Sequence, residues 1–345
     1  MIVREDFRRD GLAANFLVDE ELMSLIPKIL IGSKINIGYP AICKQEYSMC
    51  SKILEKCDSN LAELCVVGHA RENHLNKLSE VIKNYDNVSA NIWIPISDYF
   101  LEKTVKINSK NTLEGLKSII ETWKQKSDKP LDIAFADCTS YETCLSERIL
   151  EWSDCVLNEG VRNVIICDTR GIGTPESIDK ILSPLAQYSE NVEFHPHNDN
   201  NNAIRNIEIA LSKDINTIGT SFFNFGERKS MLDPRDLIKY GLFFNQEIFN
   251  EFQKEYSLKL GDPRKLIEEI YGSNIIVTGS QFRLWGETKE FEMKFGVTSD
   301  RYIASKMSGK NIDQNILEKL KNEFLYDLKK IYLDKKELKG ALSNF

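Results

Sequence analysis

The chain has 345 residues, 42% of them hydrophobic, and its 45 Lys and Arg stand against 52 Asp and Glu, a net charge of -7. That length accommodates one large barrel with an appendage, or two modest domains, and the acidic balance argues against a nucleic-acid partner or a surface adapted to anionic membranes. No apolar run is long enough to span a bilayer and no signal-like core opens the chain, so a cytoplasmic setting with reduced thiols is expected for the eight cysteines.

Short β-branched runs alternate with longer amphipathic stretches up to about residue 245, the rhythm of repeated βα units. Strands are predicted to begin near Ile2, Lys34, Leu64, Ser89, Asp132, Asn163, Val192 and Thr217. Helices are predicted between and after them over 19–30, 45–56, 73–85, 113–126, 141–159, 175–188, 203–212 and 234–240. Thr174-Pro175 reads as an N-cap followed by proline at the first helical position. Cys43, Cys50 and Cys57 recur every seven residues, the spacing of a core-facing stripe. After residue 245 the rhythm changes, and helices are predicted over 247–260, 264–271 and 315–333. Together these elements predict a (β/α)8 TIM barrel over residues 1–245 and a small, mostly helical C-terminal appendage over 246–345. No glycine-rich phosphate loop joins the first strand to its helix, which argues against a doubly wound open sheet.

Four segments carry candidate chemistry. Phe194-His195-Pro196-His197-Asn198-Asp199 places two of the four histidines two residues apart, so on a strand both imidazoles face one side and could share a metal ion; an isolated pair also fits a polar strand end. Arg8-Arg9-Asp10-Gly11 is expected in the turn after the first strand, offering a hard oxygen ligand beside a cation for an anionic substrate. Cys167 to Glu176 follows the sixth strand, and Gly226-Glu227-Arg228 follows the eighth. Asp10, Asp168, His195, His197 and Glu227 all fall at or just past predicted strand ends, so a barrel would bring them to one mouth. Gly68-His69-Ala70-Arg71 adds a histidine that could act there as acid or base, or serve as a hydrogen-bonded loop residue.

In this order the RDG, HND and GER segments resemble the metal-dependent lyase and synthase superfamily of isopropylmalate synthase, homocitrate synthase and hydroxymethylglutaryl-CoA lyase, over roughly the first two thirds of the chain. The resemblance implies that Asp10, His195 and His197 bind a divalent ion, one of manganese, zinc, cobalt, iron or magnesium. It implies that Arg9 is catalytic and that Thr169 contacts an alpha-keto acid. Arg71 matches a family position after strand three, and with Cys138 it is expected to bind substrate. His69 and Glu227 complete the catalytic candidates, although Glu227 and Arg228 read more readily as a buried ion pair that braces the last loop, while Asp199 is expected to orient a histidine or a loop. The implied reaction is condensation of an acyl-CoA with an alpha-keto acid, with carbon-carbon cleavage as the alternative and a non-catalytic homologue as the third reading. A homodimer is expected, residues 274–282 resembling a passage that reaches the partner's active site, and feedback control through a further domain is not.

The sequence also departs from the family pattern. Met231 stands where an asparagine ligand is usual, leaving three protein ligands or a substitute from Asn224. Asn36 replaces a glutamate of the second strand and Phe100 a histidine of the fourth. Phe135 to Thr139 lacks the usual serine and glutamate of the fifth, and no histidine occurs near Trp285 to Lys289. The metal-binding face is largely retained while the substrate face is rebuilt.

Overall fold

Eight parallel strands close into a barrel in chain order: β1 Ile2–Glu5, β2 Lys34–Gly38, β3 Glu63–His69, β4 Val88–Pro95, β5 Leu131–Ala136, β6 Asn163–Asp168, β7 Val192–Pro196 and β8 Thr217–Thr220. The computed structural model describes residues 1–13, 18–102, 109–139, 145–226, 228–260, 275–276, 292–296, 299–327 and 333–344. Closure comes from β1 against β8, with Ile2 opposite Thr217 and Glu5 opposite Thr220. Each strand starts within one residue of its expected position, because buried parallel strands are near-continuous apolar runs with sharp ends.

The helices that wrap the barrel are α1 Phe7–Ala13, α2 Glu20–Met23, α3 Ile26–Ile29, α4 Lys44–Lys56, α5 Glu72–Ile82, the single turn α6 Asp98–Phe100, α7 Ser109–Lys126, α8 Leu145–Asn158, α9 Pro175–Leu182, α10 Ala203–Leu211 and α11 Gln246–Leu260. Several expectations change here, the helix expected over 175–188 passing into 3-10 turns after Leu182 and that expected over 234–240 being a 3-10 helix. The segment 19–30 is two short helices, since Pro27 lacks the N–H that a continuous helix would need. The RDG segment lies within α1 rather than in a turn, with the Asp10 N–H donating to the Asp6 carbonyl at 2.7 Å. Thr174 caps α9 as expected, accepting from the Ser177 N–H in a reciprocal capping box.

The N-terminal part of the barrel interior is filled by charge. Arg4 on β1 donates to Asp132 on β5 at 2.6 Å and to Glu193 on β7 at 2.8 Å, all three buried. A contact between β1 and β5, on opposite sides of an eight-stranded barrel, can only cross its interior. Arg162 extends the network to Asp132 and Glu63, and Lys34 joins at Glu193.

Beyond β8 the chain folds back onto the barrel. Phe249, Phe252 and Tyr256 of α11 meet Phe7, Phe222, Phe223 and Phe225 in one aromatic cluster within the barrel core. A second apolar cluster gathers Phe295, Ile303, Met307, Leu317, Leu320 and Leu338, with Ile42 packed against it. Its helices are Arg301–Ser308, Gln314–Lys319 and Lys335–Ala341, and a π-helical segment occupies Leu320–Asp327. The helix expected over 315–333 thus starts where expected but changes its winding at Leu320, and that expected over 264–271 lies outside the described residues.

The described cysteines are free thiols, all buried except the half-buried Cys155. Burial pushes the thiols of Cys57, Cys65 and Cys167 up to about 12.

Candidate active site

The side chains singled out by motif gather where the strands end. β7 delivers His195 and, just past its end, His197, with ring centroids 5.4 Å apart. α1 delivers Arg9 and Asp10, whose side chains meet at 3.3 Å, Asp10 buried and Arg9 29% exposed. Burial pushes the Asp10 carboxyl above its ordinary range, against the pull of the Arg9 cation. The Arg9 charge also acts on Asp6, Tyr39, His69, His197 and Cys167, all at or next to the ends of barrel strands.

The β8 loop closes on Asp10 from the far side. Ser230 Oγ lies 2.8 Å from Asp10 Oδ2 and 2.7 Å from the Phe225 carbonyl. A Cβ at Gly226 would fall 1.7 Å from Asp10 Oδ2, so only glycine admits the carboxylate there. Phe223, Asn224, Arg228 and Ser230 all hold positive φ, between 46° and 59°. Such backbone costs about 1–3 kcal/mol per residue and persists only where its surroundings enforce it.

Arg228 is buried and ties three loops together. Its Nε donates to Asp199 at 3.0 Å and its terminal nitrogen to the Thr169 carbonyl at 2.7 Å, while His197 Nδ1 lies 3.3 Å away. Arg228 thus bridges Asp199 and His197. Burial, then the Arg228 cation, holds His197 well below the usual histidine range. Glu227 lies outside the described residues.

Other candidates are placed more clearly than their motifs allowed. Thr169 Oγ1 accepts the Asp137 N–H at 2.8 Å. His69 ends β3 in an aromatic setting, 4.3 Å from the Trp93 ring and 5.4 Å from Tyr39. Burial and then the neighbouring His74 and Arg71 hold it well below the usual histidine range, so it is neutral at neutral pH. Arg71 is exposed at the N-cap of α5. Cys138 is not brought to the mouth: it is fully buried in the apolar core and its thiol donates to the Phe135 carbonyl at 3.0 Å. The side chain that leaves the fifth strand toward Arg170 is instead Asp137, which accepts from Arg170 Nε at 2.8 Å. Asn224 is exposed and donates to the Met231 carbonyl at 3.0 Å. Asp168 is a loop brace, accepting from Thr139 and from the Ile172 and Gly173 N–H groups.

The residue missed in the sequence is Asp6. Fully buried between β1 and α1, it lies 3.2 Å from His195 Nδ1 and accepts from the Asn36 amide. Its signal was the spacing of four from Asp10, which places both carboxylates on one face once α1 is known to be helical.

A buried carboxylate and two imidazoles form a donor set that suits a divalent ion. Among the described residues no three His, Cys, Asp or Glu side chains are drawn tightly enough to hold one as they stand. The glycine cradle around Asp10 and the two neighbouring imidazoles, His195 with a buried carboxylate behind it, fit the group.

A family model described as HMGL-like matches residues 29–238. The chain belongs to the HMGL-like family. Among curated relatives of this HMGL-like chain, the 2-isopropylmalate synthase of Halothermothrix orenii is 21% identical, over 88% of this chain and 62% of its own. The probable 2-isopropylmalate synthase of Archaeoglobus fulgidus is 24% identical over 85% and 59%. The chain thus spans about three fifths of the length of these relatives. In fold it is similar to the HMG-CoA lyase of Pseudomonas aeruginosa, with a TM-score of 0.64 at 14% identity over 78% of this chain and 97% of that one. An HMG-CoA lyase of Acinetobacter baumannii, solved with coenzyme A and 3-methylmalate, gives 0.61 at 15% identity over 85% and 97%. No described helix is long and apolar enough to cross a membrane.

Proposed function

We propose that the chain is a divalent-metal-dependent enzyme that joins an acyl-CoA to an alpha-keto acid and releases free CoA. The observation that carries this reading is the gathering of Arg9, Asp10, His195 and His197 at one barrel mouth. Held by Asp10, His195 and His197, a divalent ion would supply Lewis acidity to the keto carbonyl. Arg9, partly exposed beside Asp10, would stabilise the oxygen on which negative charge develops. The Thr169 oxygen already accepts the Asp137 N–H, leaving its proton to donate to the keto acid. His69, neutral within its aromatic surroundings, takes the proton from the carbon next to the thioester. That carbon adds to the keto carbonyl, the resulting alkoxide is protonated, and water cleaves the thioester to a carboxylate and CoA. Arg71 offers an exposed cation to a carboxylate or phosphate of the substrates. The synthase relatives support condensation, and a lyase of the same fold solved with coenzyme A supports a thioester ligand.

Cleavage is the second reading, favoured by the absence of a histidine near Trp285 to Lys289. A non-catalytic role is the third, favoured by Met231 at the usual ligand position and by Arg228 against His197. Thiol release from acetyl-CoA separates them, measured on metal-free protein restored with manganese or zinc and given a panel of alpha-keto acids. Metal-dependent release with one keto acid, lost at least 100-fold in Asp10→Ala, is expected. No release with metal bound, but keto-acid release from a hydroxy acid, would establish cleavage; failure of both would leave the non-catalytic reading.

A further inference from the structure

Asp6 belongs to none of the motifs, yet it is the carboxylate nearest to His195. It is 1% exposed, one Oδ taking the Asn36 amide and the other lying 3.2 Å from His195 Nδ1. Its position is fixed twice over: β2 supplies Asn36 from one side, and α1 begins immediately after it, the Asp6 carbonyl accepting the first-turn N–H of Asp10. A carboxylate so placed accepts a proton from imidazole and cannot donate one while ionised.

We propose that Asp6 is a positioning residue that holds His195 in the Nδ1–H tautomer, so that the Nε2 lone pair is the one offered to an incoming divalent ion. A carboxylate behind a ligating imidazole fixes ring rotation and tautomer and strengthens the ring as a donor, and its loss commonly lowers metal affinity 10- to 100-fold. The assignment goes beyond the ligand set and rests on the metal-dependent reading only for its consequence, since the tautomer exists in the metal-free protein. His197 supplies an internal contrast. Its Nδ1 faces the Arg228 guanidinium at 3.3 Å, a donor, so this ring carries its proton on Nε2.

Imidazole nitrogen shifts of metal-free protein with 15N-labelled histidine, recorded near pH 8, decide the matter. Two rings of opposite tautomer are expected in the native chain, His195 being assigned by its loss in His195→Gln. In Asp6→Ala the His195 signals should move to the other tautomer or to an average, with His197 unchanged. In Asp6→Asn, whose carbonyl still accepts from Nδ1, the native tautomer should persist, which also guards against misfolding of the alanine variant. Manganese or zinc titration by calorimetry should then show a 10- to 100-fold weaker site in Asp6→Ala and a smaller loss in Asp6→Asn. A His195 ring protonated on Nε2 in the native protein, or one indifferent to Asp6→Ala in a folded chain, would overturn the proposal. Failure of the native protein to bind either ion would overturn the metal-dependent function instead, while the tautomer readout would still stand for or against Asp6.

Discussion

Asp10 is confined by Arg9 on its own helix, by Ser230 across the mouth and by the bare backbone of Gly226. Gly226→Ala would drive a methyl into the carboxylate. We expect it to cost about 1–3 kcal/mol in urea unfolding and to weaken manganese binding at least tenfold in calorimetry. Gly340→Ala, with nothing within 4 Å of the added carbon, is the matched control. Glu5 gives a prediction of a different kind. Burial pushes its carboxyl from 4.5 to about 8, even though Thr220 and the Phe7 and Phe222 N–H groups donate to it. Between those values the folded chain keeps a proton that the unfolded chain has lost. The stability contributed is complete below about 4.5 and disappears as pH rises through about 8. Glu5→Gln should therefore overtake the native protein in thermal unfolding above pH 8, by a few kcal/mol at most, and trail or equal it near pH 4. At this scale the sequence displayed Asp10, His195 and His197 because their neighbours form recognisable motifs. Asp6 and Ser230 stayed hidden because their roles depend on the helicity of α1 and on a left-handed loop that local composition does not announce.

Among the elements, the barrel strands are the part most legible in the chain. Continuous runs such as Asn163-Val164-Ile165-Ile166 have no stable solvent-exposed alternative, so each strand begins where its apolar run begins. Helices with polar caps were legible where cap and proline coincide, as at Thr174-Pro175, and less so where the chain only drifts from α to π winding, as at Leu320. Strand periodicity did not reveal what fills the barrel, because the contacts of Arg4 with Asp132 and Glu193 exist only once closure places them face to face. Removing Arg4 leaves two buried carboxylates short of a partner. Arg4→Met is expected to cost about 3–5 kcal/mol in urea unfolding, although Lys34 and Arg162 remain to share the charge. The aromatic cluster carries a companion prediction. Phe252 is fully buried against Phe7, Phe222 and Phe223, so Phe252→Ala should lower stability by about 3–5 kcal/mol and loosen the β8 loop that frames Asp10.

At the scale of the whole molecule, the closed barrel turns sequence distance into proximity: Asp10 and Ser230 are 220 residues apart and 2.8 Å from each other. The appended region carries a second apolar cluster seated against Ile42, and with it the chain is expected to sediment as a species of two chains, a single-chain mass counting against the dimer. The cysteines bear on how the proposed reaction can be watched. With burial holding most described thiols protonated, a disulfide reagent added during turnover meets little competition from the protein. Colour formed in the first minutes should then report liberated coenzyme, the buried cysteines among the described residues reacting only after denaturant is added.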